Sequence, residues 1–197
     1  MPDSGNTVSL EKNRLRKQLK PQREKITDEE YQSSAALLAS ADLTKLGINQ
    51  NSVIAGYYPI RRECNCLQLL ENLHNQNIVT ALPVIRGDEL SLHFREWAPA
   101  DLLISGQLNI PEPDSKARNV TPDILLIPLL AFDKNGYRLG YGKGHYDRTL
   151  AELRKNASVT AVGIAYDAQE IPQIPFDQYD QRLDWILTPS GLKKLGE

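Results

Sequence analysis

The chain has 197 residues, 41% of them hydrophobic, with 23 Lys or Arg against 25 Asp or Glu and a formal net charge of −2. That length is enough to bury a sizeable core and matches one domain at roughly 100–200 residues each, while the charge balance argues against a chain that is basic throughout. A polar start, Met1 to Thr7, with no long apolar segment after it predicts neither a secretory signal nor a membrane span, and so a cytoplasmic protein.

The charge is unevenly spread, since Glu11 to Lys25 carries seven Lys or Arg against two Glu and leaves the remainder acidic. After a flexible terminus over residues 1–8, Lys12 to Lys20 is predicted as a charged helix. Leu15 and Leu19 lie four apart on its inner face, and Pro21 is expected to end or kink it. A basic arm of this kind also suits nucleic acid. The acidic remainder offers no second basic surface, and an aromatic content of 7% shows no cluster for stacking bases, so no nucleic-acid partner is expected.

Thr27 with Glu30 reads as a capping box ahead of a second helix, whose Tyr31, Ala35 and Leu38 share one side. Ser52 to Tyr58 is predicted as a buried strand, Cys66 to Gln76 as a helix with Leu69, Leu70 and Leu73 on its apolar stripe, and Ile78 to Leu82 as the next strand, giving a β-α-β unit. Cys64 and Cys66 are too close for an ordinary disulfide and too few for a structural zinc site, and are read as packing residues. In Glu89 to Trp97 the alternation of Leu90, Leu92 and Phe94 with polar residues predicts a strand paired antiparallel near a sheet edge. Asp101 to Pro122 is loop-rich.

The run Asp123 to Leu130 is continuously apolar, as in a buried strand of a parallel sheet. A glycine-rich stretch, Arg138 to Arg148, follows it. His145 to Asn156 is then a helix, Val159 to Ala165 an apolar strand, and Asp184 to Leu187 a short closing strand. The alternation predicts one domain over residues 1–197, a three-layer α/β/α fold with a mostly parallel, Rossmann-like sheet and binding loops at the strands' carboxyl ends.

Within the glycine-rich stretch, Gly140, Gly142 and Gly144 at alternate positions strip side chains from one face of the backbone and leave its N–H groups open to an anion. They open onto the N-terminus of the helix from His145, where partial positive charge collects, and Arg138 and Lys143 add to it. The pattern is neither a P-loop, which ends Gly-Lys-Ser/Thr, nor a dinucleotide fingerprint.

Arg138 to Asp147 resembles the signature of the 5-formyltetrahydrofolate cyclo-ligase (methenyltetrahydrofolate synthetase) family, Arg-x-Gly-x-Gly-x-Gly-aromatic-Tyr-Asp. The resemblance runs from Lys12 to about Thr188, with its parts in the family's order. Lys12-Asn13-Arg14-Leu15-Arg16 matches a basic element that reaches nucleotide phosphates, and Leu82-Pro83 and Asn109-Ile110-Pro111-Glu112-Pro113 match inner landmarks. His145 stands where the family usually has Tyr or Phe, and Leu108 where some relatives have an aromatic.

The resemblance implies an ATP-dependent cyclisation of 5-formyltetrahydrofolate to 5,10-methenyltetrahydrofolate, by phosphorylation of the formyl oxygen and then attack by N10, with ADP and phosphate released. It implies ATP contacts from Lys12, Arg16, Arg138, Gly140, Gly142, Lys143, Gly144 and Tyr146. Folate contacts fall to Tyr58, Glu63, Tyr141, Gly142, Lys143, Gly144 and His145. Catalysis rests on Lys143, Arg138 and Tyr146, and Mg2+ on Asp147 and Asp180, with Asp177, Asp184 and Asp167 as rival carboxylates for the second place. Glu63 suits the amino-pyrimidine face of a pterin, because a carboxylate accepts two donors side by side. Tyr58 and Tyr146 suit stacking on a pterin or benzoyl ring. The small-molecule substrates are then ATP and the folate, and the expected state is a monomer. The alternative is a non-catalytic nucleotide or folate-binding module on the same fold.

Overall fold

A computed structural model describes residues 4–87 and 89–196 of the chain. Along it come α1 (Ser4–Arg23), α2 (Asp28–Ala39), β1 (Val53–Ala55), α3 (Leu67–Asn75), β2 (Val79–Val84), β3 (His93–Glu96), β4 (Leu103–Ser105), β5 (Pro111–Pro113) and β6 (Ile124–Pro128). These are followed by β7 (Ala131–Phe132), β8 (Arg138–Leu139), α4 (His145–Asn156), β9 (Thr160–Ile164), β10 (Trp185–Thr188) and β11 (Gly191–Lys194).

The central sheet has seven strands in the order β11-β10-β9-β6-β1-β2-β3. The five inner strands pair parallel, while β3 and β11 pair antiparallel at the two edges. Side chains alternate across it with period two. Ile54, Leu82, Leu126, Val162 and Leu187 pack on one face with Leu38 of α2 and Leu69, Leu70 and Leu73 of α3. Ala55, Ala81, Leu125, Ile127, Ala161 and Ile186 face the other side with Leu150 of α4. The three layers are therefore helix, sheet and helix, as the alternation of elements predicts. Each fully buried leucine in them contributes about 1.5–3 kcal/mol by leaving water.

Several local expectations are met for local reasons. The Thr27 hydroxyl accepts from the Glu30 amide at 3.1 Å, and the Glu30 carboxylate accepts from the Thr27 amide at 2.9 Å, closing the capping box. Asn65 accepts from the Leu67 amide at 2.9 Å and starts α3. Cys64 and Cys66 are buried free thiols, and burial pushes both up to about 12. They pack, as expected.

Other expectations are corrected. The first helix begins at Ser4 rather than Lys12, so Ser4 to Val8, expected to be flexible, are helical, and residues 1–3 lie outside the described residues. Pro21 does not end it. The ring sits in the last turn, where its missing N–H forfeits a single ladder bond near an end that carries Lys20 and Arg23 in favour of the helix dipole. Leu15 and Leu19 do face inward, against Ala131, Leu139 and Ile174. The glycine-rich stretch does not follow the buried strand β6 directly, because the β7–β8 hairpin intervenes. Asn135-Gly136, with Gly136 at φ 87°, makes its turn. The buried Asp133 carboxylate holds it by accepting from the amides of Asn135, Tyr137 and Ile174 at 2.9, 3.1 and 2.9 Å. Two further elements lie outside the sequence-based expectation: the β4–β5 hairpin within the loop-rich segment, and the edge strand β11.

Candidate active site

The sheet changes winding direction at β1, since β2 lies on one side of it and β6, β9 and β10 follow on the other. Ligands of open α/β sheets bind outside the carboxyl ends of the strands at such a point. A cleft of about 800 Å³ opens there, lined by Tyr57 and Tyr58 after β1, Pro83 and Ile85 at the end of β2, and Pro128 at the end of β6. Every residue given a site role from the sequence lines this one cleft: Lys12, Arg16, Tyr58, Glu63, Arg138, Gly140 to Asp147, and Asp180.

The glycine loop lines part of it. Gly142 and Gly144 have φ of 100° and 72°, left-handed conformations that glycine adopts without strain, and Gly144 is the residue from which α4 starts. The Arg16 Nε–H donates to the Gly140 carbonyl at 2.8 Å, and a Cβ on Gly142 would come within 3.2 Å of the Arg16 guanidinium. α1 thus lies directly across the loop, and its basic face is brought to the loop's amides.

The cations here are not equivalent. The Lys12 ammonium is 2.5 Å from Asp180 Oδ2 and 3.5 Å from Asp177 Oδ2. Arg138 is buried, its Nη2 donating to Asp147 Oδ1 at 2.6 Å and its Nη1 to the Gln181 carbonyl at 2.5 Å. Asp147 Oδ1 also accepts from the Gln181 amide at 3.1 Å, so the segment bearing Asp180 is tied to the first turn of α4. Lys143, by contrast, is exposed and makes no ion pair among the described residues. Arg138→Met is expected to destabilise the fold by about 1–3 kcal/mol, since it removes charge-assisted hydrogen bonds to Asp147 and to the Gln181 carbonyl while the partly exposed Asp147 stays open to water. Thermal denaturation at neutral pH measures this, and an unchanged Tm would contradict it.

Of the rival carboxylates, only Asp177 lines the cleft. Asp184 accepts from Arg154 at 2.9 Å and from the Ala161 amide at 2.7 Å, and Asp167 accepts from the Thr188 hydroxyl at 2.6 Å. Both are spent on structure.

Glu63, also in the cleft wall, is buried where the chain turns after β1, its Oε2 accepting from the Ile60 amide at 2.9 Å. Burial pushes its carboxyl up to about 7, against the Ile60 amide, Arg23 and Arg61, which favour the charged form. Arg23, at the end of α1, approaches Glu63 Oε1 to 3.9 Å and stands 5.1 Å from the centre of the Tyr141 ring, donating also to the Tyr141 hydroxyl. The His145 ring hydrogen-bonds the Leu90 carbonyl at 2.7 Å through Nδ1 and so holds the β2–β3 connection against α4.

Sequence reasoning gave no site role to the cleft-lining Arg148 and Glu112, or to Arg23 beside Glu63. Arg148 lines the cleft one helical turn beyond Gly144 and donates to the Lys143 carbonyl at 2.8 Å. Its position four residues after the last glycine is a usable signal. Arg23 is hidden among the other charges of α1.

Taken together, the fold and the site define a class: a doubly wound α/β protein with a glycine loop at a helix N-terminus and a buried carboxylate in the same cleft. The profile of the 5-formyltetrahydrofolate cyclo-ligase family matches residues 8–189, and the chain belongs to that family. It is 30% identical over 177 residues to the 5-formyltetrahydrofolate cyclo-ligase of Escherichia coli (strain K12), covering 87% of this chain and 97% of that protein. Over 139 residues it is 38% identical to the Haemophilus influenzae protein of the same name, covering 68% of this chain and 74% of the relative. The solved structure of Aquifex aeolicus 5,10-methenyltetrahydrofolate synthetase superposes with a TM-score of 0.76 at 29% identity, covering 94% of this chain and 93% of that one. For the Mycoplasma pneumoniae 5,10-methenyltetrahydrofolate synthetase the TM-score is 0.71 at 27% identity, covering 90% and 98%.

Proposed function

We propose that the chain catalyses the ATP-dependent cyclisation of 5-formyltetrahydrofolate to 5,10-methenyltetrahydrofolate, acting as a single-domain, monomeric enzyme of the cytoplasm. The observation that carries this reading is that one cleft brings a glycine loop and several cations together with a buried carboxylate and tyrosines. The glycine loop with Lys12, Arg16, Lys143 and Arg148 suits a triphosphate, and Glu63, Tyr58 and Tyr141 suit a pteridine. No helix among the described residues is long and apolar enough to cross a membrane.

A formamide oxygen is a poor leaving group, and phosphorylation makes it a good one. The formyl oxygen attacks the γ-phosphorus in line and ADP departs. N10 then attacks the activated carbon and loses its proton, and inorganic phosphate leaves with the former formyl oxygen, so that the carbon bridges N5 and N10. The protein's work is positioning and charge neutralisation. Amides of Gly140, Gly142 and Gly144 cradle phosphate, Lys143 meets the charge that develops on the transferred group, and Lys12 and Arg16 hold the nucleotide. Arg138 orients Asp147, and Tyr146 and His145 close the wall beside the folate.

Asp147 and Asp180 fit Mg2+ as a pair, because their hydrogen bonds and ion pairs fall on one oxygen each, Oδ1 and Oδ2 respectively. Held by these carboxylates, Mg2+ would neutralise phosphate charge. The test is the near-ultraviolet absorbance of the conjugated product on mixing protein, 5-formyltetrahydrofolate, ATP and Mg2+. The expected rise requires ATP, stops on chelation with EDTA and returns with excess Mg2+. Binding of both ligands without any rise would instead favour a binding module.

A further inference from the structure

We propose that Glu112 is a second substrate-binding carboxylate of the cleft, accepting from an N–H group of the reduced pteridine and held in place by Arg95 behind it and the bare Cα of Gly106 beside it. This rests on the folate reading of the cleft.

Glu112 lies on β5 and lines the cleft with Gln107, Leu108, Ile110, Pro83 and Ile85. Its side chain is 14% exposed, and its nearest cation is Arg95 Nη1 at 3.8 Å, beyond hydrogen-bonding distance. That nitrogen is used elsewhere, donating to the Pro113 carbonyl at 2.8 Å, and the Arg95 Nε is buried without a partner. The carboxylate therefore feels the arginine's charge without being saturated by its donors. Burial raises the Glu112 carboxyl above the ordinary value, and Arg95 and then the Ile85 amide work against that. A carboxylate offers about four acceptor sites, and those left free at the wall of a cleft are open to water or to a ligand donor.

Gly106 leaves open the space that the carboxylate occupies. Its φ of −86° is open to any residue, so the backbone does not call for glycine. A Cβ there would nevertheless fall 2.1 Å from Glu112 Oε2 and 2.5 Å from its Cδ. The absence of that side chain is what lets the carboxylate sit where it does. The same scheme occurs at the other carboxylate of the cleft, where Arg23 backs Glu63 at 3.9 Å. A reduced pteridine carries N–H donors on its pyrimidine edge and again at N8, so two carboxylates fix the ring at two points and aim the N5 formyl group. ATP offers donors of its own, the adenine amino group and two ribose hydroxyls, and the separate KM values for folate and ATP distinguish the two ligands.

The test is steady-state kinetics of the full chain carrying Glu112→Gln, which keeps the shape and removes the charge. Loss of one charge-assisted hydrogen bond predicts a KM for 5-formyltetrahydrofolate raised about 10–100-fold, with KM for ATP unchanged. Gly106→Ala, which displaces the carboxylate, should reproduce this, and the double variant should be no worse than the more affected single variant. Should the glutamine variant fold poorly, Glu112→Asp keeps the charge but withdraws it by one methylene, and it too should raise the folate KM. An unchanged folate KM, a rise confined to ATP, or a loss of Tm with no change in KM would each overturn the assignment. If wild-type protein forms no product at all, it is the enzymatic reading that fails, and the two failures are thereby told apart.

Discussion

Lys143→Ala is expected to lower kcat for methenyl product formation about 10²–10³-fold, the usual cost of removing one group that meets transition-state charge. The reason lies in how the cations of the cleft are committed. Lys12 is held by Asp180 and Asp177, and Arg138 by Asp147, so part of their charge is already answered within the protein. Lys143 stands exposed between two left-handed glycines, with no ion pair among the described residues. Among the described residues Arg16 and Arg148 form no ion pair either, but each spends a donor on a loop carbonyl, Gly140 and Lys143 respectively, whereas the Lys143 ammonium makes no hydrogen bond there and is the charge most available to a phosphoryl group in transfer. Because the side chain buries nothing, Tm should stay close to wild type. Lys143→Arg should recover only part of the rate, since a planar guanidinium does not replace a compact ammonium at a fixed point. A wild-type kcat in the alanine variant would remove Lys143 from the chemistry.

Glu63→Gln is expected to raise KM for the folate about 10–100-fold, as for other lost charge-assisted hydrogen bonds, and to change its pH dependence. Burial pushes the Glu63 carboxyl up to about 7. In wild type the acceptor is lost by protonation, so the folate KM should rise as pH falls below about 7. The glutamine variant lacks that titration and should be flat there. Stability gives a second readout of opposite sense. A carboxyl raised in the folded state binds more proton folded than unfolded, so its contribution falls as pH rises from the ordinary value of 4.5 to about 7 and then levels. Glu63→Gln removes that slope, and the variant's Tm relative to wild type should climb through the same interval. Parallel wild-type and variant curves would show that Glu63 is not the titrating group.

The parts of this protein governed by short-range physics are legible in its residues alone. Thr27 and Glu30 cap a helix through contacts three residues apart, and Leu69, Leu70 and Leu73 repeat at helical spacing, so neither depends on the rest of the chain. The glycine loop ahead of α4 is legible for the same reason, since a helix N-terminus and the backbone before it form one local anion site. Pro21 misleads because its cost depends on where the helix ends, and that is decided by Leu15 and Leu19 docking on the β7–β8 hairpin. The hairpin itself is signalled only by Asn135-Gly136, because its strands, Ala131–Phe132 and Arg138–Leu139, are too short to show a period.

By itself the sequence determined the element types, the mostly parallel sheet and the family's motifs in order, because periodicity, capping and glycine spacing act over a few residues. Only the tertiary structure decided which charges meet. Lys12 pairs with Asp180 across 168 positions, Arg138 turns toward Asp147 and the Gln181 carbonyl, and Arg23 comes to lie between Tyr141 and Glu63. Those pairings follow from where the sheet reverses its winding and from how α1 lies across the glycine loop. Both are set by packing among elements distant in the chain, for which no local pattern of residues carries a code.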